Sequence, residues 1–427
     1  MHLSNAPARL GRLLGVHRGG PSAQRVRAFL EAMLAEFPWR VGITDWTGDS
    51  YTAGGDAAHW CGHDLHMTLG SPAAGQDLLD LDGMRFLERF LEGEVDLEGN
   101  LYLLSEIREH GRLSLKPWHI AARLLRNAAF QGMRRSSVNV RSHYDIAQEA
   151  LDVYLDQSYL SYSCAIWEHP HDLRQPDLVT VGTGEHDGFD SLEKAQWRKF
   201  RDAADYIAPK EGETLLDVGC GYGGQLAVAL DSHPFGVVVG WTHSRNQVAR
   251  GRLMLADHDR ERWELNQGDY RSDDRLYDHI TSTGMVSHVG PRGLVPYVRN
   301  VRKRIRTGGR YLHHSLMTPW QPLPLDFSVG VAFNKKYVWP GFHWFTLAQH
   351  VRALERNGFH VVRVRSLTHH YAKTTAAWYE RMTARRNAMV ANLGEPTFRA
   401  WQVYLAGITG TFLMKRTHVY RLYCEAV

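Results

Sequence analysis

Apolar positions recur along this chain with two different periods, and the way they recur changes between its two ends. Up to about residue 125 the pattern is short. Arg40-Val41-Gly42-Ile43-Thr44-Asp45-Trp46 alternates as a half-buried strand does, glycine-rich turns follow, and Met84-Arg85-Phe86-Leu87-Glu88-Arg89-Phe90-Leu91 repeats at helical spacing. This predicts a small α/β unit over residues 1–125. Residues 126–142, rich in Arg and Ser around Arg134-Arg135-Ser136-Ser137, lack periodicity and read as a linker. From about residue 200, short apolar runs at 214–218, 236–240, 263–267, 279–283, 310–315, 359–365 and 418–424 alternate with helical segments. Seven such strands predict a second unit, 143–427, built on a doubly wound, mainly parallel sheet with ligands at the carboxyl ends of its strands.

Composition changes this picture little. The 427 residues are 44% hydrophobic and 22% charged, which suits two folded units. Cys61, Cys164, Cys220 and Cys424 show no paired spacing, so no disulfide framework is expected and a reduced compartment is. No apolar run approaches the ~18 residues that span a bilayer. The opening MHLSNAPARLGRLLGVHR has no signal-peptide core, which places the expected location in the cytoplasm. The net charge of +4 is modest, but arginines cluster at 134–141 and in Arg299-Asn300-Val301-Arg302-Lys303-Arg304-Ile305-Arg306. Such a run faces anionic headgroups or phosphate, or else is a solvated helix face. No nucleic-acid motif accompanies it, and no nucleic-acid partner is expected.

The strongest local signal is Thr214-Leu215-Leu216-Asp217-Val218-Gly219-Cys220-Gly221-Tyr222-Gly223-Gly224, an apolar strand emptying into glycines before a helix. Gly219, Gly221 and Gly223 permit tight turning and close backbone approach of a ligand. The loop fits a dinucleotide or S-adenosylmethionine (SAM). Asp217 tilts the choice to SAM, because a carboxylate there can orient the loop and face the methionine ammonium. The next strand ends in Trp241-Thr242-His243-Ser244-Arg245-Asn246-Gln247 without an acid for ribose, leaving Thr242 and Gln247 as neutral partners. After the third strand, Asp269 of Gly268-Asp269-Tyr270 is placed to accept from an adenine amino group, with Tyr270 beside it; a turn-forming aspartate is the alternative.

Seven blocks then follow one another in order: His143-Tyr144-Asp145, Tyr162-Ser163-Cys164-Ala165, the 216–224 loop, Gly284-Met285-Val286-Ser287-His288-Val289-Gly290, Leu312-His313-His314-Ser315-Leu316, Asn334-Lys335-Lys336-Tyr337-Val338-Trp339-Pro340-Gly341, and His370-Tyr371-Ala372-Lys373-Thr374-Thr375-Ala376-Ala377-Trp378-Tyr379-Glu380-Arg381. Through most of residues 140–425 this set resembles the cyclopropane-fatty-acyl-phospholipid synthases and the related mycolic acid cyclopropane synthases. Phe90-Leu91-Glu92-Gly93-Glu94-Val95-Asp96 is similar to the family's small accessory domain. The resemblance implies a class I SAM-methyltransferase fold, Rossmann-like with a seven-stranded sheet, behind an N-terminal α/β accessory domain. It implies transfer of the SAM methyl carbon to a double bond of an unsaturated acyl chain in phospholipid. It further implies a bicarbonate base, with Cys164, His314, the amide of Leu316 and Tyr371 as its catalytic ligands, and Tyr162-Ser163 bordering SAM.

One position departs from the family. Where it has a glutamate before His288, this chain has Ser287, which is neutral and shorter. That puts bicarbonate in doubt and opens three outcomes: ring formation with a weakened base, methylation without closure to a methyl or methylene branch or a methylated diene on the way to a furan fatty acid, or a non-catalytic homologue. A methyltransferase for a small polar nucleophile is the rival reading; it requires a polar pocket with a general base.

Other signals rank lower. His59-Trp60-Cys61-Gly62-His63-Asp64-Leu65-His66 does not match a zinc spacing and reads as a polar surface turn, so no metal is expected. In His313-His314 and His369-His370, strand alternation sends neighbours to opposite faces. Trp320-Gln321-Pro322-Leu323-Pro324-Leu325-Asp326-Phe327, with the aromatics from Tyr337 to Phe345, forms either a substrate lid or core. Expected partners are unsaturated phospholipid acyl chains at the inner face of the membrane, where the protein is peripheral, a homodimer, and a lipid-modifying oxidase or desaturase as functional partner.

Overall fold

A computed structural model describes residues 20–110, 148–169, 173–174, 190–319 and 329–427. The chain divides into two units, Met1–Lys116 and Pro117–Val427. The stretch read as a linker, the basic cluster at 134–141, His143-Tyr144-Asp145 and the Trp320-to-Phe327 segment lie outside the described residues.

In the first unit, β1 (Val41–Thr44), β2 (Ser50–Ala53), β3 (Leu65–Leu69) and β4 (Val95–Gly99) form a sheet of order β2-β1-β3-β4. Alternation along the strands buries Val41, Ile43, Leu65, Met67, Leu69, Val95 and Leu97 on one face. The helix Gly83–Glu92 begins where the Asp82 side chain accepts from the Arg85 N–H and stops at Gly93, whose φ of 82° suits glycine. Its Phe86, Phe90 and Leu91 are buried. His59 is not on a surface turn: it is buried, lies 5.1 Å edge-on from Trp39, and burial lowers its pKa to about 4. Among the described residues no group of three or more His, Cys, Asp or Glu side chains is placed to hold a metal.

The second unit is the doubly wound sheet, with β5 (Leu215–Val218), β6 (Val238–Thr242), β7 (Trp263–Gln267), β8 (His279–Thr283), β9 (Arg310–Met317), β10 (Phe359–Ser366) and β11 (His418–Ala426) in the order β10-β11-β9-β8-β5-β6-β7. The pairs β5–β6, β6–β7, β5–β8 and β8–β9 are parallel, while β11 runs antiparallel between β9 and β10. Neighbouring residues of β5 feed opposite faces. Leu216 and Val218 pack with Tyr297, Val298 and Leu354, whereas Leu215 packs with Leu226, Val238 and Val248. Burial on both faces explains why the strands read as continuous apolar runs.

Two expectations change here. The basic run is divided: Arg299, Lys303 and Arg306 are exposed, as on a solvated face, whereas Arg304 is buried and donates to the carbonyls of Asp273, Asn300 and Arg271, and half-buried Arg302 donates to those of Gly358, Ile305 and Val427. The Arg304 guanidinium thus supplies donors to interior backbone carbonyls. His369-His370 falls in the helix Thr368–Ala384, so strand alternation does not govern that pair. Among the described residues no helix is long and apolar enough to cross a membrane.

Candidate active site

The carboxyl ends of the parallel strands open into a cavity of about 1600 Å³. That exceeds the ~300–1,000 Å³ of an ordinary single-ligand pocket, leaving room for a cofactor and a long second ligand. Every expected site residue except Gly223 lines it. Gly223 stands behind the loop, capping the helix Gly224–Ser232 at φ 86°, where its backbone conformation starts the helix rather than meeting a ligand.

The glycine turn leaves β5 with Gly219 at φ 76° and Gly221 at φ 54°, a region costly for other residues. A Cβ on Gly219 would lie 2.2 Å from Met285 Sδ, so the turn and the start of the β8 loop approach closely. Asp217, at the mouth of the turn, is buried and accepts from the Thr281 hydroxyl at 2.7 Å. Burial raises its pKa to about 6, opposed by the Thr281 hydrogen bond and by Lys199. The Thr242 hydroxyl donates to Gln247 Oε1 at 2.5 Å, tying the two neutral candidates together. Asp269 lines the cavity and also takes the turn role given as its alternative: its carboxylate accepts from Arg271 Nε at 2.9 Å and from the Arg271 N–H, capping the turn that carries Tyr270.

Asp217 gives a test by pH. Above about 6 the free protein's carboxylate is ionised and, if it faces the SAM ammonium as expected, would attract it; as pH falls through that value it is protonated and the attraction would be lost. A hydrogen bond between charged groups is worth about 1.5–3 kcal/mol. Titration calorimetry should therefore show SAM affinity falling roughly ten- to hundredfold on acidification. Asp217→Asn should bind weakly at every pH, and an Asn variant retaining the wild-type slope would exclude this residue as its source.

The second half of the cavity is built from three elements. The segment 156–164 is clamped from beneath: Asp156 accepts the N–H groups of Tyr159 and Ser161, Gln196 donates to the carbonyls of Ser161 and Ser163, and Lys199 donates to both serine hydroxyls. This presents Tyr162, Ser163 and Cys164 to the cavity. Tyr162 stacks on Trp378 at 4.8 Å and 9°, with Trp339 5.4 Å away, and its hydroxyl donates to Tyr404 at 3.4 Å. Tyr371, from the helix Thr368–Ala384, stands edge-on to the same Trp378. Trp339, Phe342 and Trp344 line the cavity, so the aromatics after 337 face ligand space as well as core.

Between these halves lies the wall formed by Cys164, Ser287, His314 and Leu316. Burial holds the Cys164 thiol up at about 12, so it stays protonated. His314 is pushed well below its ordinary value by burial first, then by Arg421, Lys199 and His313. The Gly284 N–H donates to the His314 carbonyl at 2.9 Å, so the backbone groups of His314 face β8. By the two-residue repeat, those of Leu316 face the same side. The last β8–β9 pair is Thr283–His314, so the Leu316 N–H points past the end of β8 towards the cavity. Ser287 Oγ is buried without a hydrogen-bond partner. A donor-rich wall with one unmet hydroxyl suits a small oxyanion, though without a carboxylate.

Several residues of this site escaped the sequence reading: Lys199, Gln196, Asp156, Tyr404 and Arg421. The one available signal was a charged or amide side chain inside an apolar helical or strand stripe, such as Lys199 four residues from Ala195 and Ala203.

A sequence model of the mycolic acid cyclopropane synthetase family matches residues 131–422. A probable fatty acid methyltransferase of Pseudomonas putida is 29% identical over 330 residues, covering 76% of this chain and 77% of that protein. A probable fatty acid methyltransferase of Mycobacterium tuberculosis is 27% identical over 287 residues, covering 66% of this chain; the chain spans 61% of that relative's length. The solved structure of mycolic acid cyclopropane synthase CmaA1 complexed with SAH and CTAB is 26% identical, with a TM-score of 0.58, covering 67% of this chain and 97% of that one.

Proposed function

Because the chain belongs to the mycolic acid cyclopropane synthetase family, and is with it a SAM-dependent C-methyltransferase acting on lipid, we propose that its substrate is a double bond in an unsaturated acyl chain of a membrane phospholipid. The observation that carries this reading is the aromatic cage of Tyr162, Trp339 and Tyr404, backed by Trp378, in the same cavity as the glycine turn. SAM, when bound, would supply an electrophilic methyl on a sulfonium: the π pair of an alkene would form the new carbon–carbon bond as the methyl–sulfur bond breaks, its electron pair leaving with S-adenosylhomocysteine and a carbocation remaining on the substrate. The aromatic faces stabilise that cation and the apolar walls keep out water that would quench it. A small polar nucleophile would call for a general base instead; the Cys164 thiol stays protonated, and burial together with Arg421 disfavours the imidazolium that His314 would become on taking a proton.

The base that the resemblance implies, bicarbonate, would be held by Cys164, His314, the Leu316 amide and Tyr371, and would supply proton removal for ring closure. Ser287 stands where a carboxylate would complete that set, and its unpartnered hydroxyl favours a second reading: methyl transfer without closure, giving a branched chain. The names of the two fatty acid methyltransferase relatives support a methylated product as much as a ring. The protein would work from the cytoplasmic side, peripheral to the membrane that carries its substrate.

Lipids from a host expressing the full chain, grown with methyl-labelled methionine, test this. The expected result is labelled acyl chains heavier by the mass of one CH2, with proton spectra distinguishing cyclopropane from branch. Unlabelled acyl chains across a panel of unsaturated lipids would overturn it.

A further inference from the structure

His314 lies on β9 opposite Arg421 of β11, in register across the antiparallel pair. Arg421 is 1% exposed, an unusual place for a guanidinium, and it is fixed there on three sides. Its Nη1 donates to the Lys199 carbonyl at 3.2 Å and to Asp202 Oδ2 at 2.5 Å, while its Nε donates to His314 Nδ1 at 3.4 Å. Asp202 is itself held by Arg365 at 2.8 Å and by the Tyr423 hydroxyl at 2.9 Å, so the guanidinium plane has little freedom.

Arginine has five N–H donors and no acceptor. A histidine nitrogen that receives a hydrogen bond from it must carry a lone pair, and in a neutral ring the proton then sits on the other nitrogen. We propose that Arg421 is a positioning residue that locks His314 as the Nε2–H tautomer, so that His314 offers a hydrogen bond to the cavity and cannot accept a proton there.

The surroundings act in the same direction. The charged and titratable groups around the ring are Arg421 from β11, Lys199 from the helix Leu192–Ile207, His313 on its own strand, and the Cys164 thiol across the wall. Burial is the main influence disfavouring an imidazolium, and the Arg421 cation adds to it, as does Lys199 when protonated, its own pKa being lowered by burial to about 7. No hydrogen bond from a described side chain reaches His314 Nε2, and the residue lines the cavity. The wall is therefore a set of donors: His314 Nε2–H beside the Leu316 N–H and the Ser287 hydroxyl. A bound oxyanion or the oxygen of a substrate carbonyl would meet these donors; a proton leaving the substrate would find no acceptor on the imidazole.

This role rests on the cavity being the methyl-transfer site proposed above, but its test does not need turnover. The full-length chain labelled with 15N-histidine, with the His314 signals assigned by loss in His314→Gln, reports which ring nitrogen is protonated. The expected result is an Nε2–H ring with no ionisation between about pH 5 and 8. An Nδ1–H ring, or an imidazolium appearing in that range, would overturn the proposal. In Arg421→Met, where Asp202 keeps Arg365 and Tyr423 as partners, the ring should show both tautomers and titrate at a higher pH than in the unmodified protein, burial still holding it below its ordinary value. With a lipid substrate, kcat should fall about ten- to hundredfold while SAM affinity stays unchanged, and an acid limb should appear that is absent from the Arg421→Met/His314→Gln double variant. Should the labelled lipid assay fail while the spectra show the locked ring, the substrate assignment falls and the tautomer assignment stands.

Discussion

Gly219→Val is expected to abolish useful SAM binding. Its backbone sits at φ 76°, and a Cβ there would collide with Met285 Sδ at 2.2 Å and Cγ at 2.4 Å. A left-handed conformation costs an L-residue roughly 1–2 kcal/mol, and overpacking adds about 1–3 kcal/mol. Met285, whose side chain lines the same cavity as the glycine turn, would have to move to make room. Since each 1.4 kcal/mol is about tenfold in affinity, calorimetry should register a loss of roughly a hundredfold or more, with a lowered melting temperature. Gly221→Ala is the internal comparison: at φ 54° with nothing within 4 Å of its Cβ, it carries backbone strain alone. Its loss should be about tenfold or less. Wild-type affinity in Gly219→Val would mean that the cofactor does not lie against this turn.

Ser287→Glu is expected to change which product forms rather than how much methyl is transferred. Ser287 Oγ is buried without a partner on the same wall as Cys164, His314 and Leu316. A carboxylate there would accept a hydrogen bond from an oxyanion's hydroxyl and orient it for proton removal. Hydrogen bonds to charged groups are worth about 1.5–3 kcal/mol, so the ratio of cyclopropane to branched chains should rise roughly ten- to hundredfold. Lipid mass spectrometry together with the cyclopropane proton signal measures that ratio. An unchanged ratio, with SAM binding intact, would remove Ser287 as the determinant of closure.

What could be read from the sequence followed from physical range. Strands β7 and β8 stood at their expected limits because each is an apolar run bounded by turn residues, and β9, β10 and β11 extended the expected runs by one or two residues. Strand β6 slipped by two. The triplet Val237-Val238-Val239 drew the reading towards Gly236, whose N–H in fact donates to the Glu213 carbonyl of the loop before β5, while pairing runs on through Thr242 opposite Gln267. Contiguous blocks were likewise legible, and the family resemblance they carry is what named Cys164, Ser287, His314, Leu316 and Tyr371, which are found on one cavity. The groups that fix them were not. Arg421 meets Asp202 across 219 positions and meets His314 only because β11 inserts beside β9. Local periodicity is blind to such pairings. An arginine amid Val419, Leu422, Tyr423 and Cys424 marks a buried cation without naming its partner.

The burial of Cys164 also bears on how the protein withstands oxidative and electrophilic stress. Sulfur reacts as the thiolate, and this thiol is held protonated in the interior, as are Cys220 and Cys424, while Cys61 in the first unit is the one cysteine that is not fully buried. Peroxides and alkylating agents would thus meet a sulfur remote in sequence from the methyl-transfer chemistry before they reached one inside it. A thiol in the reaction chamber need not make the enzyme a redox sensor.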